Sequence, residues 1–178
     1  GSVTFTAAAG NLTNVTVYDS SAIDLGPLAL SAAGTLTVTS EGAVTQTGGA
    51  LSGATLVVKT LNDAGAAITL ANVSNDFDTV DLRERNAADG LYTTAGISFA
   101  DSDGFTVNAA VGSAGLVTLR AVAGTVSQAA ACPVEGGGNL ELLGGAAFTL
   151  TETTNDMDGL AAATTGAVSF TDTDGLTI

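Results

Sequence analysis

The residues in this sequence best suited to chemistry are its aspartates. Asp101-Ser102-Asp103-Gly104 and Asp172-Thr173-Asp174-Gly175 share a spacing that can turn two carboxylates toward one Ca²⁺ ion. Calcium takes about six to eight oxygens, and neither phrase continues into an EF-hand loop with its closing Glu or into a glycine-rich nonapeptide repeat. The alternative use is structural: Asp accepts hydrogen bonds from the amides of a tight turn, and Gly supplies the positive φ. Asn75-Asp76-Phe77-Asp78 and Asn155-Asp156-Met157-Asp158 offer the same choice, with Phe77 and Met157 expected to point inward. On this reading no residue is assigned as a metal ligand, as cofactor-binding or as catalytic. Asp101, Asp103, Asp172 and Asp174 are the positions at which a calcium titration decides.

Other chemistries lack their parts. The chain has no His, so a His-based triad or metal site has no base or ligand to use. Lyases and hydrolases of acidic polysaccharides need cations to neutralise sugar carboxylates, or paired carboxylates as acid and base. Here the cations are Lys59, Arg83, Arg85 and Arg120, and Arg83 and Arg85 form their one close pair. The net charge of −14 repels phosphate backbones and anionic headgroups, which argues against nucleic-acid and membrane-surface roles. Cys132 is the single cysteine, so no intrachain disulfide forms. Asn11, Asn14 and Asn72 open N-glycosylation sequons in a chain rich in Asn and Thr. The pairs Thr35 and Thr37, and Thr149 and Thr151, suggest an ice-binding array but do not recur at one-coil spacing.

The elements that would carry these residues are strands. Thr35-Leu36-Thr37-Val38-Thr39, Ala54-Thr55-Leu56-Val57-Val58, Leu116-Val117-Thr118-Leu119 and Phe148-Thr149-Leu150-Thr151 alternate at period two between Gly, Asn, Asp and Ser clusters. Val3-Thr4-Phe5-Thr6 reads the same way. No window sustains a helical apolar period with a cap, so helix content is expected near nil. The composition is 46% hydrophobic but 4% aromatic, without Trp. That favours thin, regular layers of Val, Leu, Ile and Ala over an irregular globular core.

Three phrases recur in the same order. The phrase around Asp19 returns around Asp101 and Asp172, Gly42-Ala43-Val44-Thr45-Gln46 returns as Gly124-Thr125-Val126-Ser127-Gln128, and the Asn75 phrase returns at Asn155. Units are expected at about 17–97 and 98–168, with a partial third at 169–178, in one continuous solenoid over 1–178. The second unit lacks nine residues around Arg83-Glu84-Arg85-Asn86-Ala87-Ala88-Asp89-Gly90, which are expected to form a surface loop. Strand-and-turn groups about every 20 residues imply one coil each, about nine coils, and a rod on the order of 40 Å long. Gln46 and Gln128 lie several coils apart, so the two are not expected to stack directly on each other. The fold class is all-β, a parallel β-helix, with tandem immunoglobulin-like sandwiches as the alternative. The final phrase stops without a polar cap, so the chain is expected to be a length of a longer rod.

Gly42 to Leu51, Ala67-Ile68-Thr69-Leu70-Ala71-Asn72 and Asn75-Asp76-Phe77-Asp78-Thr79-Val80 resemble the degenerate repeats of filamentous-haemagglutinin-like bacterial adhesins. The resemblance implies a right-handed parallel β-helix exported by a Gram-negative cell as a secreted or cell-surface fibre. On that basis the expected role is a structural or adhesive stalk without catalysis or cofactor. Its expected partners are further repeats of the same polypeptide, neighbouring subunits or a host or cell-surface receptor. The alternative is a carbohydrate- or protein-binding module, calcium-stabilised, using loops such as Arg83 to Gly90.

Overall fold

A computed structural model describes residues 1–3 and 12–178, and the strand expected at Thr4, Phe5 and Thr6 and the sequon at Asn11 lie outside the described residues. No helix occurs among those described. The chain runs through β1 (Ser2–Val3), β2 (Asn14–Asp19), β3 (Ile23–Leu25), β4 (Leu28–Ala29), β5 (Thr35–Ser40) and β6 (Val44–Thr45). It continues through β7 (Leu51–Leu61), β8 (Ile68–Leu70), β9 (Asp76–Arg85), β10 (Ile97–Asp101), β11 (Thr106–Gly112) and β12 (Val117–Ala121). The last elements are β13 (Thr125–Gln128), β14 (Val134–Glu135), β15 (Asn139–Gly144), β16 (Ala147–Leu150), β17 (Gly159–Thr164) and β18 (Val168–Phe170).

Two sheets collect these strands. One is eight-stranded, in the order β1-β3-β6-β8-β10-β12-β15-β17, and the other ten-stranded, with β2, β5, β7, β9, β11, β13, β16 and β18 in sequence and β4 and β14 beside β7 and β11. Every strand pair is parallel, because each strand bonds to its equivalent one coil later. The fold is therefore a β-solenoid, and the antiparallel sandwich alternative is discarded. It makes about seven turns and not nine. The reason is coil length: Ile97 pairs with Val117 twenty residues on, but Val44 pairs with Ile68 twenty-four on and Ile68 with Ile97 twenty-nine on.

Each coil has three sides, since the ten-stranded sheet bends over two of them. In the first half the long strands β5, β7 and β9 lie on that sheet, while β3, β6 and β8 supply two or three residues each to the other. In the second half the long strands β12, β15 and β17 are on the eight-stranded sheet, and the ten-stranded one is cut into β13, β14, β16 and β18. A register shift between Val107 and Val111 of β11 marks the change.

Period-two alternation points one residue in two inward, and parallel registration stacks like on like. Leu36, Leu56, Val80 and Val107 form one buried row, and Ile68, Ile97, Val117 and Leu140 another. Phe99 and Phe105 meet edge to face at 5.1 Å where the sides converge. One apolar cluster runs from Ile23 to Met157. Leu119→Ala empties a site with no solvent exposure between two coils, so it is expected to cost about 2–5 kcal/mol, measured as a lower urea midpoint at unchanged slope.

Candidate functional site

The recurring polar phrases meet at the corners of the coil. Where the chain leaves the eight-stranded sheet, Gln46 Nε2 donates to Asn75 Oδ1 at 2.7 Å, and Asn75 Nδ2 donates back to Gln46 Oε1 at 3.1 Å. The same Asn75 Oδ1 accepts from Leu51 N, and Nδ2 donates to Leu70 O of its own coil and Ala100 O of the next. One coil further, Asp101 Oδ2 accepts from Phe77 N at 3.0 Å while Oδ1 accepts from Asp103 N and Gly104 N, each at 3.1 Å. Gln46, Asn75 and Asp101 are thus three rungs of one corner ladder. Gly104 is required there: its φ is +106°, and a Cβ would sit 2.4 Å from Thr125 O of the following coil.

The second set of phrases builds the same object. Gln128 Nε2 donates to Asn155 Oδ1 at 2.6 Å, Asn155 Nδ2 donates to Gln128 Oε1, Leu150 O and Thr171 O, and Asn155 Oδ1 accepts from Val134 N. Met157 N then donates to Asp172 Oδ1 at 3.1 Å. This ladder stands on a different corner, where the chain leaves β13 and β16. At the third corner, after β2, Asp19 Oδ1 accepts from Ser21 N and Oγ, each at 2.8 Å. The order of phrases in the sequence is the order of rungs. Gln46 and Gln128 do not stack on each other, as the spacing implied; each pairs with an Asn one coil on, a partner the spacing did not reveal.

These bonds define what the turn aspartates can do. Both oxygens of Asp101 accept from backbone amides, Oδ1 from two and Oδ2 from one, and Asp103 is exposed beside it. Asp172 Oδ2 is buried without a hydrogen-bond partner, and Asp174 caps Gly175 N. Among the described residues no three His, Cys, Asp or Glu side chains converge as a metal set. Burial pushes the Asp101 carboxyl up to about 6, against three amide donors that favour its charge. Asp156 is raised too, by burial and then by the nearby charges of Asp174, Asp172, Asp158 and Glu135.

The expected surface loop from Arg83 to Gly90 needs correction. Arg83, Glu84 and Arg85 end β9, and the projecting part is a hairpin from Asn86 to Gly96, closed by an antiparallel Arg85–Tyr92 bridge. Glu84 points into the coil and is fully buried. Its carboxylate accepts from Thr93 Oγ1, Ala95 N, Gly96 N and Ser113 Oγ, tying the hairpin's return to the next coil. The Tyr92 ring packs on Gly112, where a Cβ would come within 2.3 Å of it. Its hydroxyl donates to Glu135 Oε1 at 2.6 Å, and burial and that bond raise its pKa. The Arg85 guanidinium lies 4.2 Å from the ring centroid. Lys59 and Arg85 share Asp89 at 2.7 and 3.2 Å, and Arg83 is held by Asp81.

One feature escaped the sequence altogether. Thr35, Thr55, Thr79, Thr106, Ser127, Thr149 and Ser169 are register partners in successive coils, an unbroken outward column of hydroxyls. Thr79 donates to Thr55 at 2.9 Å, and Thr106 and Ser127 lie 3.0 Å apart. Unequal coils hide the column from any fixed-period search. The neighbouring column, Thr37, Val57 and Asp81, is broken, so no two-column threonine array forms. Asn14 is exposed and Asn72 half-buried, and Asn72 Oδ1 caps its turn by accepting from Ser74 N.

Residues 9–82 match a family described as repeats of unknown function (DUF5649), a stretch about as long as one unit of this chain. No curated protein and no solved structure matches the chain.

Asn75→Ala and Asn155→Ala each strand one buried amide and two carbonyls, and are expected to cost about 3 kcal/mol or more and to match each other within about 1 kcal/mol in urea denaturation. Asp101 gives a pH signature. Its folded pKa lies above the ordinary carboxyl value, so the folded chain binds the proton more tightly, and stability rises as pH falls from about 6 toward about 4. Melting temperature is therefore expected to climb across that window in the native chain and to climb less in Asp101→Asn.

Proposed function

We propose that this chain is a structural and adhesive stalk segment of a large bacterial exoprotein, secreted or held at the cell surface, with no catalytic step of its own. The observation that carries the reading is the continuity of the coil: every strand bonds to its equivalent in the next turn, and one apolar cluster fills the interior from Ile23 to Met157. Such a body resists bending because displacing one coil breaks backbone bonds on three sides at once. The resemblance of the Gln and Asn-Asp phrases to haemagglutinin-like repeats supports export. The acidic coat supports solubility for a strand-rich surface.

The inserted hairpin favours a second reading, a binding module borne on the same rod, because the coil from Leu140 to Leu160 closes in twenty residues without such an insert. For the stalk reading, an antiserum raised against the chain is expected to label intact, unpermeabilised cells that make the parent protein, along filaments. Labelling that appears only after permeabilisation overturns it, as does turnover of any polysaccharide in a panel of plant and bacterial glycans.

A further inference from the structure

The hairpin is tied to four successive coils, whereas a strand in a stack bonds only to the coil before and the coil after its own. Lys59, Arg83, Gly112 and Glu135 are register partners from coil to coil, one column through β7, β9, β11 and β14. The hairpin lies along that column. Its Asp89 takes Lys59 at 2.7 Å, and Asp63 Oδ1, just past β7, accepts from Ala87 N at 3.0 Å. The Tyr92 ring fills the place that a side chain at Gly112 would need, since a Cβ there would meet ring carbons at 2.3 and 2.4 Å. The Tyr92 hydroxyl reaches on to Glu135, 43 residues away in sequence. From Lys59 to Glu135 is three coil steps, about 14 Å at the strand spacing. Lys59, Arg83 and Arg85 are each paired with a carboxylate of the same assembly, so their charges are spent on the rod itself.

What the hairpin spans is a fault in the stack. β11 pairs with β9 at Thr106 and Val107, but Asp81 of β9 then stands opposite Asn108, Ala109 and Ala110 of β11 before pairing resumes at Val111. Beyond that point β11 passes from β13 to β14. In a stacked array stability is handed from coil to coil through nearest-neighbour interfaces, so the array parts first where one interface is interrupted. The hairpin's ties begin before the fault, at Lys59 and Asp63, and end beyond it, at Gly112 and Glu135. Beneath it the buried Glu84 accepts from Ser113 Oγ on the same far side. We propose that the hairpin is a longitudinal clamp across this fault, joining the coils before it and the coils after it into one cooperative unit. Without the clamp the rod divides into two blocks that open independently. This holds whether the chain serves as a stalk or as a binding module.

Native-state hydrogen exchange, read by mass spectrometry on the amides of β5 and β7 before the fault and of β15 and β16 beyond it, tests the clamp. In the native chain both sets are expected to open together, with protection equal within about threefold. Leu142→Val trims one methylene from a site beyond the fault with no solvent exposure, and is expected to lower protection of both sets alike, by about fivefold. Tyr92→Ala removes the ring, its bond to Glu135 and the Arg85 stack. In that background the two sets are expected to differ by at least about tenfold, and Leu142→Val to lower β15 and β16 alone. Where Tyr92→Ala does not fold, Tyr92→Phe decides, because it keeps the ring and loses only the bond to Glu135; a gap of about threefold or more supports the clamp, and no gap overturns it. Sets that still move together in Tyr92→Ala overturn the proposal, as does a native chain whose two sets already open apart.

Discussion

A coil that turns three times in little more than twenty residues must turn its backbone at each corner, and there the strand ladder stops while the interior does not. Amides at such a point have neither strand partner nor water, and an unpaired buried amide costs more than most side-chain contacts return. The solution is a side chain with donors and acceptors at the right reach, repeated coil after coil. Asn75 makes five hydrogen bonds from a position with no solvent exposure, to its own coil and to both neighbours. Asn suits the role because its amide both gives and receives. Asp ends each ladder where the demand is for acceptance alone. The apolar rows need only be apolar and of about the right size, but the corner needs particular residues. That is why the polar phrases survive in order while the strand sequences between them drift.

This division explains what could be read from the sequence. Period-two alternation and the absence of helical patterning give all-β structure, and the ordered phrases give a stacked repeat. The D-x-D-G phrases are legible as turn caps, since Asp101 does accept from the amides two and three residues on. The bond from Phe77 N to Asp101 is not legible, because its partners are 24 residues apart and only the coil length brings them together. Glu84 defeats sequence reading for a different reason. In Arg-Glu-Arg it has the look of a solvated charge run, and only the strand's parity, with Leu82 inward and Arg83 outward, sends it to the interior. The number of turns was overestimated because the coils are unequal, and the same inequality conceals the hydroxyl column.

Electrostatics is arranged to match. Carboxylates lie along the rod, and the cations gather, except for Arg120, at the one place where the coil is lengthened. Their neighbours Asp81 and Asp89 hold them in position, and Asp89 lies below the usual carboxylate range, first through its hydrogen bond from Lys59. The hairpin therefore lengthens the coil at the place where three of the four cations gather, each paired with a carboxylate.

The two ladders do not lie above one another. From Val44 through Ile68 and Ile97 to Val117 the chain completes three coils, and Val126, the counterpart of Val44, lies one side further on. A repeat of this kind is a screw operation: three coils of rise combined with about a third of a revolution. The long side of the coil migrates in step, from β5, β7 and β9 on one sheet to β12, β15 and β17 on the other. Any group carried at a fixed place in such a unit winds around the shaft like a tread on a spiral stair. Three successive units then point their equivalent residues to three compass bearings, so that no direction of approach finds the rod blank.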